Sequence, residues 1–189
     1  MALGRDAIDP ASFATLRVAS GAITLLGLSL ATARGERALP GGTWPAAGLL
    51  FLYMVTFAWA YVGLKTGTGA LLLFGTVQIT MIGVAFRSGE RPHRLEWVGL
   101  VVSSGGLVYL LLPGLSAPPL DRALLMMAAG LAWGLYSLRG RGSRDPLGDT
   151  AGNFTRALPA VLALSALTLS RLHLTREGIL LAAASGALA

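Results

Sequence analysis

Six stretches of mostly apolar residues follow one another along the chain, each closed off by a short polar loop: Ala11–Ala33, Trp44–Leu64, Gly67–Phe86, Trp97–Leu112, Leu120–Leu138 and Thr150–Leu169. At 1.5 Å per residue, about twenty helical residues cover the roughly 30 Å hydrocarbon core of a bilayer. Six such helices in a chain of 189 residues would leave a water-soluble domain without polar faces. The pattern therefore predicts an all-α fold, a polytopic transmembrane helical bundle of six full spans whose first partner is lipid. A further apolar stretch, Ile179–Ala189, begins like a helix and stops after about 17 Å, too short to cross. It predicts a partial seventh span in a chain that is a fragment or a truncated product.

The ends of the elements carry their own signals. Pro10, Pro45 and Pro119 stand at or near first turns, where a missing N–H costs little. Pro113-Gly114 stops the fourth stretch and Pro118 keeps the following connection extended. Pro159 lies inside the sixth stretch and predicts a kink there. Alternate loops differ in charge. One set holds Arg34, Arg37, Arg87, Arg91, Arg94, Arg139, Arg141 and Arg144, and the other Arg5, Lys65, Arg122, Arg171 and Arg176. The bias places the first set in the cytoplasm and the start of the first helix outside.

Composition sharpens this picture. Hydrophobic residues make up 54% of the chain and charged ones 13%, against about 25% charged in soluble domains. The net charge of +6 is spread over separate loops, with no basic stripe and no interleaved aromatics, so it predicts contact with anionic lipid and no nucleic-acid partner. With no cysteine, disulfides, thiolate catalysis and cysteine–metal sites are excluded. Met1 to Pro10 lacks the apolar region of a signal peptide. His93 and His173 are solitary loop residues outside any metalloprotease pattern, and no histidine lies within a span to serve as a base. Lys65 lacks the glycine cradle that binds phosphate. The expectation is a protein that is not an enzyme and uses no cofactor and no metal.

A faint internal repeat adds topology. Asp9-Pro10, with Phe13 and Arg17 following, precedes one apolar stretch; Asp145-Pro146, with Phe154 and Arg156, precedes another. An odd number of spans separates the copies, so the second is inverted, as in many secondary transporters.

The ordered series Ala70–Met81, Gly89-Glu90-Arg91-Pro92, Leu95–Leu100 and Leu110–Gly114 resembles the end of the first half of EamA-type permeases of the drug/metabolite transporter superfamily. The segment Ala128–Arg141, with Asp145-Pro146, looks like the opening of their second half. The resemblance implies two inverted five-helix repeats in the full pattern, both ends cytoplasmic. On that pattern residues 1–114 are a first half lacking its first helix. Residues 115–189 are the beginning of a second half cut in its third helix.

The resemblance further implies a central cavity lined by the second, third and fifth stretches here. Tyr53, Phe57 and Tyr61, spaced by four, form one aromatic helix face, with Trp59 on another side. Phe74, Gln78, Trp133 and Tyr136 complete the cavity candidates, with Thr76 and Thr80 beside Gln78. Plain packing, or interfacial placement for Tyr61, is the competing reading for the aromatics. For Gln78, an amide in mid-span, it is a bond between helices. Arg17 and Arg156 are intramembrane charges, expected to snorkel toward opposite faces. Gly99-x-x-x-Ser103 and Gly130-x-x-x-Gly134 are small-residue faces expected to pack helix on helix.

The expected function is a permease of the bacterial cytoplasmic (inner) membrane, moving a small metabolite or drug-like solute by alternating access without ATP. The alternative is a truncated, non-transporting membrane protein acting at most as a scaffold. Oligomeric state is not legible.

Overall fold

The computed structural model describes residues 7–32, 41–90, 93–112 and 117–188, and in it the apolar stretches are helices. They are α1 (Pro10–Thr32), α2 (Trp44–Ala60), α3 (Thr66–Arg87), α4 (Arg94–Leu111), α5 (Leu120–Arg139), α6 (Pro146–Leu167) and α7 (Arg176–Leu188), with a 3₁₀ turn at Leu169–Arg171. Among the described residues there is no strand; Ile8 and Leu174 form an isolated antiparallel bridge. The architecture is all-helical. Arg5, Arg34, Arg37, Arg91 and the expected stop at Pro113-Gly114 lie outside the described residues.

Local chemistry explains the helix starts. Asp9 precedes Pro10 and its carboxylate accepts the Ser12 N–H at 2.9 Å; Asp145 precedes Pro146 and accepts the Gly148 N–H at 3.0 Å. The Thr43 hydroxyl accepts the Ala46 N–H at 3.3 Å, and the Thr175 hydroxyl accepts the Gly178 N–H at 3.0 Å. Each oxygen satisfies a donor that the first turn leaves free. α6 runs through Pro159 as one continuous helix.

Packing fixes the helix directions. α1 lies antiparallel to α6: the Thr15 hydroxyl reaches the Val161 carbonyl at 3.0 Å and Ser165 at 2.8 Å, and Gly21 faces Phe154. α7 lies parallel to α1, with Gly178 against Ala7 and Gly186 against Arg17 and Ser20. α5 sits between α2, antiparallel to it, and α3, parallel to it. α2 occupies the centre, touching α1, α5 and α6, whereas α4 leans on α3. Successive helices therefore run in alternating directions. One end gathers Arg87, Arg94, Arg139, Arg141 and Arg144, where Arg141 pairs with Glu90 at 3.6 Å. The other holds Lys65, Arg122, Arg171 and Arg176.

The core is built from small residues. Ala14, Ala58, Ala129 and Ala182 are fully enclosed, while Ile79, Leu95, Tyr109 and Leu120 are largely exposed around the outside, at 74%, 84%, 79% and 75%. By length and mean hydropathy, α1 and α3 are able to cross a bilayer; α2 is apolar but has 17 residues. α2 is shorter than the Trp44–Leu64 stretch because the chain turns after Ala60, where the Gly63 N–H bonds the Ala60 carbonyl and Gly63 packs on Arg122.

The two small-residue faces part company. A Cβ on Gly130 would lie 2.7 Å from the Thr76 Cβ and 2.8 Å from the Leu73 carbonyl oxygen, and one on Gly134 would lie 3.0 Å from Thr80. Gly130 and Gly134 thus hold α5 against α3. Gly99 instead has nothing within 4 Å, and the Ser103 hydroxyl bonds the Leu100 carbonyl of its own helix at 3.0 Å. The expectation of packing at Gly99–Ser103 is corrected: that side of α4 faces away from α3. Gly130→Val should therefore destabilise the fold by about 1–3 kcal/mol, the usual cost of overpacking. Gly99→Val, into open space, should leave the thermal unfolding midpoint in detergent within error of the parent.

Candidate functional site

The four-residue spacing on α2 stacks three aromatics on one face, and α5 extends the stack. Ring centroids are 4.7 Å apart for Tyr61–Phe57, 5.4 Å for Phe57–Tyr53, 4.8 Å for Tyr53–Trp133 and 5.4 Å for Trp133–Tyr136. The tilted and edge-on geometries are those aromatic quadrupoles favour. A continuous column results, running from near one end of the bundle to the other. Tyr53, Phe57 and Tyr61 are buried, while Trp133 and Tyr136 are partly exposed. Tyr61 packs within the bundle: it lies over Gly69, where a Cβ would clash with its ring, and its hydroxyl approaches the Thr66 carbonyl at 3.5 Å. At its other end the column opens into a pocket of about 140 Å³ lined by Thr43, Tyr136, Ser137, Asp149 and Asn153, among others.

Arg17 joins this column, contrary to the expectation that it snorkels. Its guanidinium sits over the Phe57 ring, 5.3 Å from the centroid, and interacts with the Tyr53 phenol. Its Nε is enclosed and has no hydrogen-bond partner among the described residues. The rotation of α1 explains the inward aim. Gly21 is held under Phe154 and Gly186 under the Arg17 carbonyl, so the arginine's face of α1 is turned toward α2. A cation over an aromatic face gains about 0.5–2 kcal/mol.

Arg156 lies near the basic end, where it donates to the Gly41 carbonyl. Gln78 lies apart from the column, between α3 and α4, where its Oε1 accepts the Ser104 hydroxyl at 3.0 Å. It lines an apolar groove of about 390 Å³ with Leu71, Ile82 and Leu107. Phe74 is 49% exposed and shares no ring contact with the column among the described residues, because the Leu73 side of α3 faces the core. Trp59 stands apart near the opposite end, where its carbonyl accepts Arg122 at 2.6 Å.

Two clamps at opposite ends escaped sequence reasoning. At the basic end Asp149 accepts the Gly42 N–H at 2.8 Å and the Ser143 hydroxyl at 2.6 Å, while Asn153 accepts the Thr43 N–H at 2.8 Å. The start of α6 thus grips the chain entering α2. At the other end the Asp9 N–H donates to the His173 carbonyl at 2.9 Å, the Asp9 carboxylate accepts the His173 N–H at 3.2 Å, and Thr175 bonds the Ala7 carbonyl at 2.7 Å. The start of α1 thus grips the chain entering α7. The signal in the sequence was the polar stripe Asp149-x-x-x-Asn153-x-x-Arg156 along one face of a helix.

Comparison with known proteins finds a relative. Over 188 residues the chain is 48% identical to an uncharacterized protein of Pseudomonas aeruginosa, a match covering 100% of this chain and 65% of that protein. The chain therefore spans just under two thirds of the relative's length. No family model and no solved structure matches the chain.

Asp149 lies at the polar end of α6, ahead of the Thr150–Leu169 stretch. The Ser143 hydroxyl and then the Gly42 N–H hold its carboxyl below the ordinary value of 3.8. A lowered folded-state pKa stabilises the fold above that ordinary value and is lost as pH falls through the folded value. Between about pH 6 and pH 3 the parent should therefore lose more thermal stability than Asp149→Asn, which has no charge to lose. Equal losses in parallel melts would show that the carboxylate contributes nothing to the clamp.

Proposed function

We propose that this chain forms part of a secondary transporter of the EamA type, moving a small metabolite across the bacterial cytoplasmic membrane by alternating access without ATP hydrolysis. The observation that carries the reading is the inverted pairing of α1–α2 with α6–α7. α1 and α6 are antiparallel, each opens with Asp-Pro, and each grips at its start the chain that follows the other. The helices so gripped, α2 and α7, each begin behind a threonine cap. Inverted repeats of this kind let one bundle rock against the other around a site near mid-membrane.

Two further features support it. Enclosed alanines with exposed leucines and isoleucines suit lipid better than water, since in a bilayer helices associate through close contact of small residues. The aromatic column runs lengthwise through the interior and carries the one described cation that stands over an aromatic ring. In the proposed orientation the basic end, with Arg87, Arg139 and Arg144, faces the cytoplasm.

The reading is tested by reconstituting the protein in liposomes loaded with a small-metabolite extract and analysing the outer medium by mass spectrometry. A limited set of solutes should leave faster than from protein-free vesicles, without added nucleotide. Release profiles identical to protein-free vesicles would overturn it.

A further inference from the structure

The aromatic column and Arg17 have a consequence for what could be carried. We infer that the Arg17 guanidinium, seated on Phe57 beside Tyr53, is the receptor for the carboxylate of an organic anion whose flat apolar body lies along the aromatic column. The inference rests on the transporter reading above and names the substrate class of that site.

Arg17 is a cation in an unusual place. Arg17 stands seven residues beyond Pro10, about 10 Å along α1, with helices α2, α6 and α7 packed around α1. Among the described residues its surroundings offer an aromatic face and a phenol but no anion. The ion pairs Arg122–Asp121, at 3.1 Å, and Arg141–Glu90 are at helix ends. The other arginine of the internal repeat, Arg156, is held by the Gly41 carbonyl, so the two members of the repeat are not alike.

A guanidinium presents five N–H donors. Here its Nε is enclosed and uses none of the described residues as a hydrogen-bond partner, so it is a donor open to a ligand. Carboxylate is the group whose two oxygens match the fork. The Phe57 ring, 5.3 Å from the guanidinium carbon, attracts the charge without accepting from its N–H groups, so that contact does not compete with a carboxylate for them.

The rest of the ligand is read from what adjoins the charge. From Tyr53 the rings continue through Trp133 to Tyr136, both partly exposed, and end at the pocket by Asn153 and Ser137. A planar apolar body stacks on such rings, and a hydrated polar one would lose water for no return. A cationic solute is disfavoured by Arg17 itself.

Trp133 provides the readout because its ring is 4.8 Å from that of Tyr53. Trp44, Trp59 and Trp97 can be changed to phenylalanine, leaving Trp133 as the single emitter in the full chain. Benzoate is the simplest probe with both features, and benzylammonium and benzyl alcohol keep the ring with the charge reversed or removed. In lipid nanodiscs, benzoate should change Trp133 emission saturably, with both controls giving only a linear, partition-like response. Arg17→Gln should weaken the benzoate response by roughly tenfold or more, as expected for loss of a charge-assisted pair. Arg17→Lys, keeping the charge but losing the fork, should fall between.

A saturable response to benzylammonium equal to that of benzoate, or no saturable response to benzoate, would overturn the inference. An Arg17→Gln protein with parental melting behaviour and an unchanged benzoate response would do so too. The charge comparison is made on the parent chain, so a variant that fails to fold leaves the test intact. Saturable, Arg17-dependent binding without any solute release from liposomes would keep the site and remove transport. Solute release without charge-selective binding would do the reverse.

Discussion

Helix backbones in this bundle come close enough to touch, and every other contact depends on that approach. A Cβ on Gly178 would strike the Ala7 carbonyl, one on Gly186 the Arg17 carbonyl, one on Gly152 the Gly41 carbonyl and one on Gly130 the Leu73 carbonyl. In water the burial of large apolar side chains drives helices together. Between helices immersed in lipid that driving force is absent, and close packing with a few hydrogen bonds must serve. Small residues inside and leucines outside are the arrangement that condition selects.

The same approach sets the rotation of each helix and therefore which polar groups meet. With Gly21 and Gly186 fixing α1, Thr15 falls opposite Ser165 and Arg17 falls over Phe57. With Gly130 and Gly134 fixing α5 on α3, Trp133 is carried onto Tyr53 and the column closes. The interior charge is thus a by-product of packing geometry, held in place although the rings under it recover only part of what its burial costs. A protein keeps such a group where its charge serves a purpose, which is why the proposed permease site centres on it.

Much of the element order was legible in the chain, because its signals are local. Asp-Pro at residues 9–10 and 145–146 starts helices through chemistry spanning three residues, and the spacing of Tyr53, Phe57 and Tyr61 stacks rings through the helix repeat alone. What escaped depends on partners distant in sequence. Gln78 meets Ser104 on a helix whose register the sequence does not specify. Asp149 acquires its role only from Gly42, more than a hundred residues earlier, whose N–H it accepts. The inward aim of Arg17 is set by Phe154 and Gly186, neither of which marks it from the sequence. Gly99-x-x-x-Ser103 has the same spelling as the Gly130 motif and no helix against it, since spelling sets the shape of a face and not its neighbour.

The central claim, that the alternating helices thread a membrane with the basic end inside, is tested most directly by labelling introduced cysteines. The chain has no cysteine of its own, so each introduced thiol reports alone. Exposed sites are Ser88 and Arg144 at the basic end and Lys65 and Ser170 at the other. Cysteines at 65 and 170 should react with a membrane-impermeant maleimide in intact spheroplasts, and those at 88 and 144 only after permeabilisation. Equal labelling of all four before permeabilisation, or recovery of the protein in the detergent-free supernatant, would contradict the account.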